Sequence, residues 1–174
     1  MNEVLENIRT RRSIRSFKPD AVPEDVIAQI AGAGTWAPTG RNAQSPIIIA
    51  VTNKELRDRI SEMNRKIGGW NEGFDPFYGA PAILIVLADK NVPTGVYDGS
   101  LVMENLMLAA NSLGVGSIWI HRAREEFESE EGREILRSLG IDGDYVGIGH
   151  CALGYAADVP EEHPRKENWI YWAK

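Results

Sequence analysis

Apolar residues recur along this chain in blocks whose spacing switches between helical and extended, and that switching predicts its elements. Val4, Leu5 and Ile8 lie at helical spacing behind Asn2, a good first-turn cap, and predict a short N-terminal helix. Phe17 and Pro19 then read as an extended passage. Pro23, Glu24 and Asp25 open a second helix, since proline fits the first turn and acids favour its positive end. Its inward stripe is Val26, Ile27, Ile30 and Ala31, and it ends near Trp36. Ile47 to Val51 has the length of a strand. Asn53 caps a third helix that turns Leu56, Ile60, Met63 and Ile67 inward and Arg57, Asp58, Arg59, Glu62 and Arg65 to water, before Gly68 and Gly69 stop it.

Residues 70–81, WNEGFDPFYGAP, carry four aromatics and no periodicity, which predicts a lid or pocket wall. Ala82 to Ala88 is apolar at every position and predicts a strand covered on both faces. Asp98 to Leu113 is a helix with almost no polar side, and burying it all round calls for a subunit interface. Beyond Gly114, Ser117 to Ile120 reads as a strand, Ser129 with Glu130 and Glu131 starts a helix closed by Gly140, and Tyr145 to Tyr155 is a strand interrupted by glycines. Periodicity then disappears, yet Trp169, Ile170, Tyr171 and Trp172 are too apolar for a free tail and predict a surface that they cover. Helices alternating with strands give one domain of mixed α and β class over residues 1–174.

Composition narrows the partners. The 174 residues carry a net charge of -6, which argues against nucleic acid, because that binding needs a broad basic surface. Cys151 is the only cysteine, so no intrachain disulfide forms. The N-terminal MNEVLENIRTRRS lacks the apolar core of a signal peptide or a membrane span, and with the lone cysteine this predicts a cytoplasmic protein.

Against that acidic background, RRSIRSF at 11–17 concentrates three guanidinium groups and two hydroxyls. Arginine's rigid fork of donors matches a phosphate, and serine adds a short neutral donor. The segments APTGRNAQ at 37–44 and HPRK at 163–166 extend the pattern. Arg11, Ser13, Arg15, Arg165 and Lys166 suit a phosphate and its polar chain, whereas the carboxamides of Asn42 and Gln44 suit the edge of a planar heterocycle. Other chemistries lack support. No GxxxxGK[ST] loop is present, GIGHCALG at 147–154 lies within a strand and reads as close packing, and His121, His150 and His163 are too irregularly spaced for a helical metal pair. His150 and Cys151, as strand neighbours, point to opposite faces and make no nucleophile pair. From these residues alone an enzyme, a non-catalytic carrier or sensor of a nucleotide phosphate, and a protein binding an acidic partner all remain open.

Taken in order, RRSIRSF, APTGRNAQ, LAANSLGVGSIWI, ALGY at 152–155 and PRK resemble the nitroreductase superfamily of FMN-dependent oxidoreductases, from Arg11 to Lys166. The resemblance implies an α+β fold with a central, mainly antiparallel sheet between helices, and a homodimer with FMN at the subunit interface. It implies an enzyme that passes a hydride from NAD(P)H through FMN to a nitroaromatic or quinone acceptor by a ping-pong mechanism. It places Arg11, Ser13 and Arg165 on the FMN phosphate, with Lys166 beside them, and gives Arg12 a backbone role. Arg15 falls on the ribityl chain and pyrimidine side; Pro38, Thr39 and Gly40 lie against the flavin from the partner subunit, and Asn42 or Gln44 addresses ribityl or pyrimidine groups. Trp119, Ile120, His121 and Arg122 bring backbone groups to its reactive edge, and residues 155–174 form an arm on the partner. No side chain performs the chemistry, and no metal is implied. The chain departs from the common pattern at IHR, 120–122, and the Asn and Lys that many members use before the second strand are not evident, Asn71 and Asp75 being only weak stand-ins.

Overall fold

The computed structural model describes residues 2–174. Four strands form one antiparallel sheet in the order β1-β2-β4-β3, with β1 Pro46–Val51, β2 Ala82–Asp89, β3 Gly116–Ile120 and β4 Tyr145–Gly154. Helices α1 Glu3–Thr10, α2 Glu24–Gly34, α3 Lys54–Gly68, α4 Gly95–Ser112, α5 Ala123–Glu128 and α6 Glu130–Ser138 surround it. The α+β architecture and the antiparallel sheet agree with expectation.

β2 explains why both faces are covered. Ala82, Leu84, Val86 and Ala88 join one apolar cluster with α2 and α4, while Ile83, Ile85 and Leu87 join another with α3, α5 and α6. Alternation along one strand therefore feeds two cores, and an unbroken apolar run results. The predicted caps hold: Asn2, Asn53 and Ser129 each accept a hydrogen bond from a backbone N–H in the first turn of α1, α3 and α6. Gly69, at φ 69°, ends α3 in the left-handed conformation that glycine adopts without steric cost.

The glycines of β4 serve close packing, as read from the sequence. A Cβ on Gly147 would lie 2.1 Å from the Ala123 carbonyl carbon, and one on Gly149 would lie 2.3 Å from Trp119 Nε1. Between them the pairing with β2 slips, so that Gly147 faces Leu87 and Gly149 faces Val86, leaving Ile148 as an extra residue. That bulge reverses the alternation: Val146 and Ile148 belong to the α4 face, but so do Cys151 and Leu153. His150 is thereby turned into the opposite core, 5.1 Å from the Phe77 ring.

Five sequence expectations need correction. Arg57 is buried rather than solvated: its Nε donates to the Ala80 carbonyl at 2.9 Å, and Nη2 meets Asp75. Arg65 is also drawn in, donating to the Trp70 carbonyl at 2.6 Å. Asp75 in turn accepts from Ser61 and from the N–H groups of Phe77 and Gly79. The second half of the 70–81 segment is therefore anchored, with Phe77 fully buried, while Trp70 and Phe74 stack on one another nearer the surface. The third correction is α5, which the apolar pattern did not announce, the fourth is that α4 begins at Gly95, ahead of the predicted Asp98, and the fifth is Ile67, which near the end of α3 is exposed instead of turned inward.

Apolar surface stays open in a single chain. Val4, Leu5 and Ile8 on α1, Val96, Tyr97 and Leu101 on α4, and Trp169 to Trp172 in the tail are all exposed. None of the described helices is long and apolar enough to cross a membrane.

Candidate functional site

The basic cluster is held where α1 gives way to the sheet. Ile14 N–H donates to the Ser117 carbonyl at 3.0 Å, and Ser13 pairs with Ser117 as a parallel bridge at the start of β3. Farther on, Phe17 bridges to Ala156, and Lys18 N–H donates to the Tyr155 carbonyl. This stitching brings two distant segments together. Arg11, Arg12, Ser13 and Arg15 share a cleft of about 240 Å³ with Pro160, Glu161, His163 and Arg165.

Within that cleft the arginines differ. Arg12 is occupied, donating to the carbonyls of Arg9 at 2.7 Å and Arg11 at 2.9 Å and lying 3.4 Å from Glu162. Arg11 Nη1, by contrast, is buried with no hydrogen-bond partner. An orphaned guanidinium donor is costly unless something anionic completes it. Arg15 and Arg165 remain exposed, and Lys166 lies outside the cleft, its Nζ 4.8 Å above the Trp169 ring. Burial pushes the Cys151 thiol up to about 12, opposed by the charge of Arg11, so this cysteine is no nucleophile.

At its other end β3 opens onto a second cleft of about 620 Å³, whose walls include Trp119, His121, Arg122, Ser100 and Gly147. Four residue steps lead from Ser117 to His121, about 13 Å of extended chain. One ligand with a phosphate and a ring could lie along the strand and reach both clefts. Arg122 sits at φ 82° between β3 and α5, with its guanidinium 4.4 Å over the Trp70 ring.

The 38–44 segment lies elsewhere. Gly40 N–H donates to Asp98 Oδ1 at 3.0 Å, and Thr94 Oγ1 donates to Oδ2 at 2.9 Å, which ties the loop to the first turn of α4. Arg41, Asn42 and Gln44 all hold positive φ, and Gln44 Nε2 donates to Asn42 Oδ1 at 3.1 Å. Three strained residues in so short a loop are the kind of backbone a binding site retains. Thr39 and Gln44 border a cleft of about 510 Å³ with Gly34, Ile48 and Val102. This loop leads into β1, and β1 and β3 are opposite edges of the sheet. A single chain does not bring Pro38, Thr39, Gly40, Asn42 and Gln44 to the arginine cleft.

Sequence reasoning missed Asp98 as the anchor of that loop, although an acid in the first turn of an apolar helix was its visible signal. It also missed Asn64, Glu126 and His150, all fully buried beneath the end of β3. Asp75 is committed to Arg57 and the loop backbone and leaves nothing for a ligand. No group of three or more His, Cys, Asp or Glu suited to a metal occurs among the described residues.

Known proteins share this fold. The model of the nitroreductase family matches residues 8–155, and the chain belongs to that family. A Methanothermobacter thermautotrophicus protein named for NADH dehydrogenase and NAD(P)H nitroreductase activity is 30% identical over 169 residues, covering 91% of this chain and 80% of its own. An FMN reductase [NAD(P)H] from Bacillus subtilis is 27% identical over 187 residues, covering 95% and 70%. A crystal structure of a Bacteroides fragilis nitroreductase with bound FMN superposes with a TM-score of 0.89 at 31% identity, over 100% of both chains.

Proposed function

We propose that this chain is an FMN-dependent NAD(P)H oxidoreductase that reduces a small, flat, electrophilic acceptor of nitroaromatic or quinone type, working as a homodimer. The observation that carries the reading is the cleft shared by Arg11, Ser13, Arg15 and Arg165, together with an Arg11 guanidinium nitrogen that is buried and lacks a partner. That donor set fits a phosphate monoester. Bound FMN supplies the two-electron redox chemistry, and the protein supplies grip, orientation and electrostatics.

Arg11, Ser13 and Arg165 would hold the phosphate, with Arg12 fixing the local backbone. Arg15, one residue beyond the Ser13 bridge and Ile14, would reach the ribityl chain and the pyrimidine side, where its charge favours negative charge on the ligand. Trp119, Ile120 and His121 would offer backbone groups at the ring's edge. Pro38, Thr39, Gly40, Asn42 and Gln44 would come from the second copy, since their own sheet edge faces away from the arginine cleft. The open apolar faces of α1 and α4 and the exposed tail support such a pairing, with residues 155–174 as an arm over the partner.

Donor and acceptor would occupy the same place in turn. Steady-state rates measured with NADH or NADPH against a quinone should therefore give parallel double-reciprocal lines. Intersecting lines, with both substrates bound at once, would contradict a shared place. Flavin that binds but supports no turnover with any donor would instead support a carrier or sensor.

A further inference from the structure

Three polar side chains from three different elements meet under the end of β3, where nothing in the family reading gives them a task. Asn64 of α3 donates through Nδ2 to the His121 carbonyl at 2.8 Å and to Glu126 Oε1 at 2.6 Å. His150 Nε2 of β4 lies 2.6 Å from Glu126 Oε2 of α5, and its Nδ1 lies 3.4 Å from the Ile120 carbonyl. All three residues are fully buried. The cluster thus reaches two consecutive carbonyls of the segment that departs from the family pattern.

Its consequence follows from the planarity of the peptide unit. In a trans peptide the carbonyl and the following N–H point in opposite directions. With the His121 carbonyl drawn inward to Asn64, the Arg122 N–H is directed away from the core. It makes no hydrogen bond within the described residues. The positive φ of Arg122 keeps the chain in this turn, and Glu126 N–H closes it by donating to the Arg122 carbonyl at 3.0 Å.

Glu126 and His150 come to this place by packing. Gly147 lets the backbone of α5 approach β4, and the β4 bulge turns His150 toward it. A solely structural buried pair is an expensive way to fill a core, because apolar residues of the same volume serve stability as well or better. Holding a particular backbone orientation is a task that apolar residues do not perform.

We infer that Asn64, Glu126 and His150 are positioning residues that lock the 120–122 turn so that the Arg122 N–H faces the ligand. This rests on the FMN reading above. A fixed donor at the ring edge favours whichever redox state of the flavin carries more negative charge there. The cluster therefore sets the flavin's potential without touching it.

The experiment compares holoenzyme carrying Asn64→Ala with holoenzyme carrying Ile135→Ala, a truncation in the buried core of α6. Both should lower the thermal unfolding midpoint. Only Asn64→Ala should change the relative affinity for reduced and oxidised FMN, by tenfold or more, read as a shift of about 30 mV in the two-electron midpoint potential. Affinity for oxidised FMN should stay within about threefold, because the phosphate cleft is at the other end of β3. If Asn64→Ala loses stability as Ile135→Ala does and leaves the potential unmoved, the cluster is structural and the inference is overturned. Should Asn64→Ala fail to fold, His150→Gln is measured in the same comparison and read in the same two ways. Wild-type protein that binds no FMN would overturn the functional reading itself, a separate and earlier outcome.

Discussion

Arg11→Ala is expected to weaken FMN binding by about tenfold to a hundredfold, the largest loss available from one side chain in the phosphate cleft. The figure follows from charged hydrogen bonds worth roughly 1.5–3 kcal/mol each, with about 1.4 kcal/mol per tenfold in affinity. Arg11 is singled out because it lines the cleft and its Nη1 is buried without a hydrogen-bond partner. Arg165 is exposed and should contribute less alone, while Arg12, engaged with backbone carbonyls, should matter chiefly for local structure. Fluorescence titration of apoprotein with FMN and with riboflavin separates the contributions. In wild type FMN should bind far more tightly than riboflavin, and Arg11→Ala should narrow that gap. A variant that retains the full preference for FMN would remove Arg11 from the phosphate site.

Arg57→Ala is expected to cost about 3 kcal/mol of stability and lower the unfolding midpoint by about 6–12 °C. The guanidinium is nearly buried and links α3 to the 75–80 backbone through Asp75 and the Ala80 carbonyl. The low end of the usual range for a broken buried pair applies because Asp75 keeps 31% of its side chain exposed. Burial acts to raise the Asp75 carboxyl, but hydrogen bonds from Arg57, Ser61 and the Phe77 N–H outweigh it and hold the group below the ordinary carboxylate range. A depressed folded value means that the anchor contributes fully above the unfolded value of about 3.9 and is lost as pH falls through the lower folded one. Thermal melts of wild type and variant should therefore differ most near neutrality and converge as the pH drops below about 4. Equal differences at every pH would show that Arg57 acts through packing and not through Asp75.

The difference between Arg57 and Arg11 shows what the sequence makes legible. Arg11 belongs to a run that is anomalous in an acidic chain, so its candidacy as a phosphate ligand is visible as composition. Arg57 occupies a polar position on a regular amphipathic helix, and period alone assigns it to water. Only the return of the chain at Ala80 and Asp75, across a long loop, gives it buried partners. Asn64, on the same helix, is concealed for the same reason.

Element identities were readable wherever spacing and caps agreed, as at Asn53 and Gly69 around α3 or Ser129 before α6. The helix α5 was not, because its six residues span less than two turns and follow a left-handed arginine instead of a capping side chain. The face on which His150 lies was hidden by one extra residue. Strict alternation from Val146 and Ile148 would place it against α4, and the bulge reverses that. The 38–44 loop was legible as a loop with ligand chemistry, but its opposition to the arginine cleft emerged only from the strand order.

The central claim is that FMN bound by this chain accepts electrons from a nicotinamide donor without any other protein or acceptor present. Anaerobic titration of the purified, FMN-loaded protein with NADH and with NADPH tests it directly. The account predicts that at least one donor bleaches the flavin absorbance near its visible maximum, in proportion to the donor added, with one equivalent of donor per flavin. A flavin that stays fully oxidised with an excess of either donor, while dithionite reduces it readily, would contradict the account and leave a protein that binds FMN without using it.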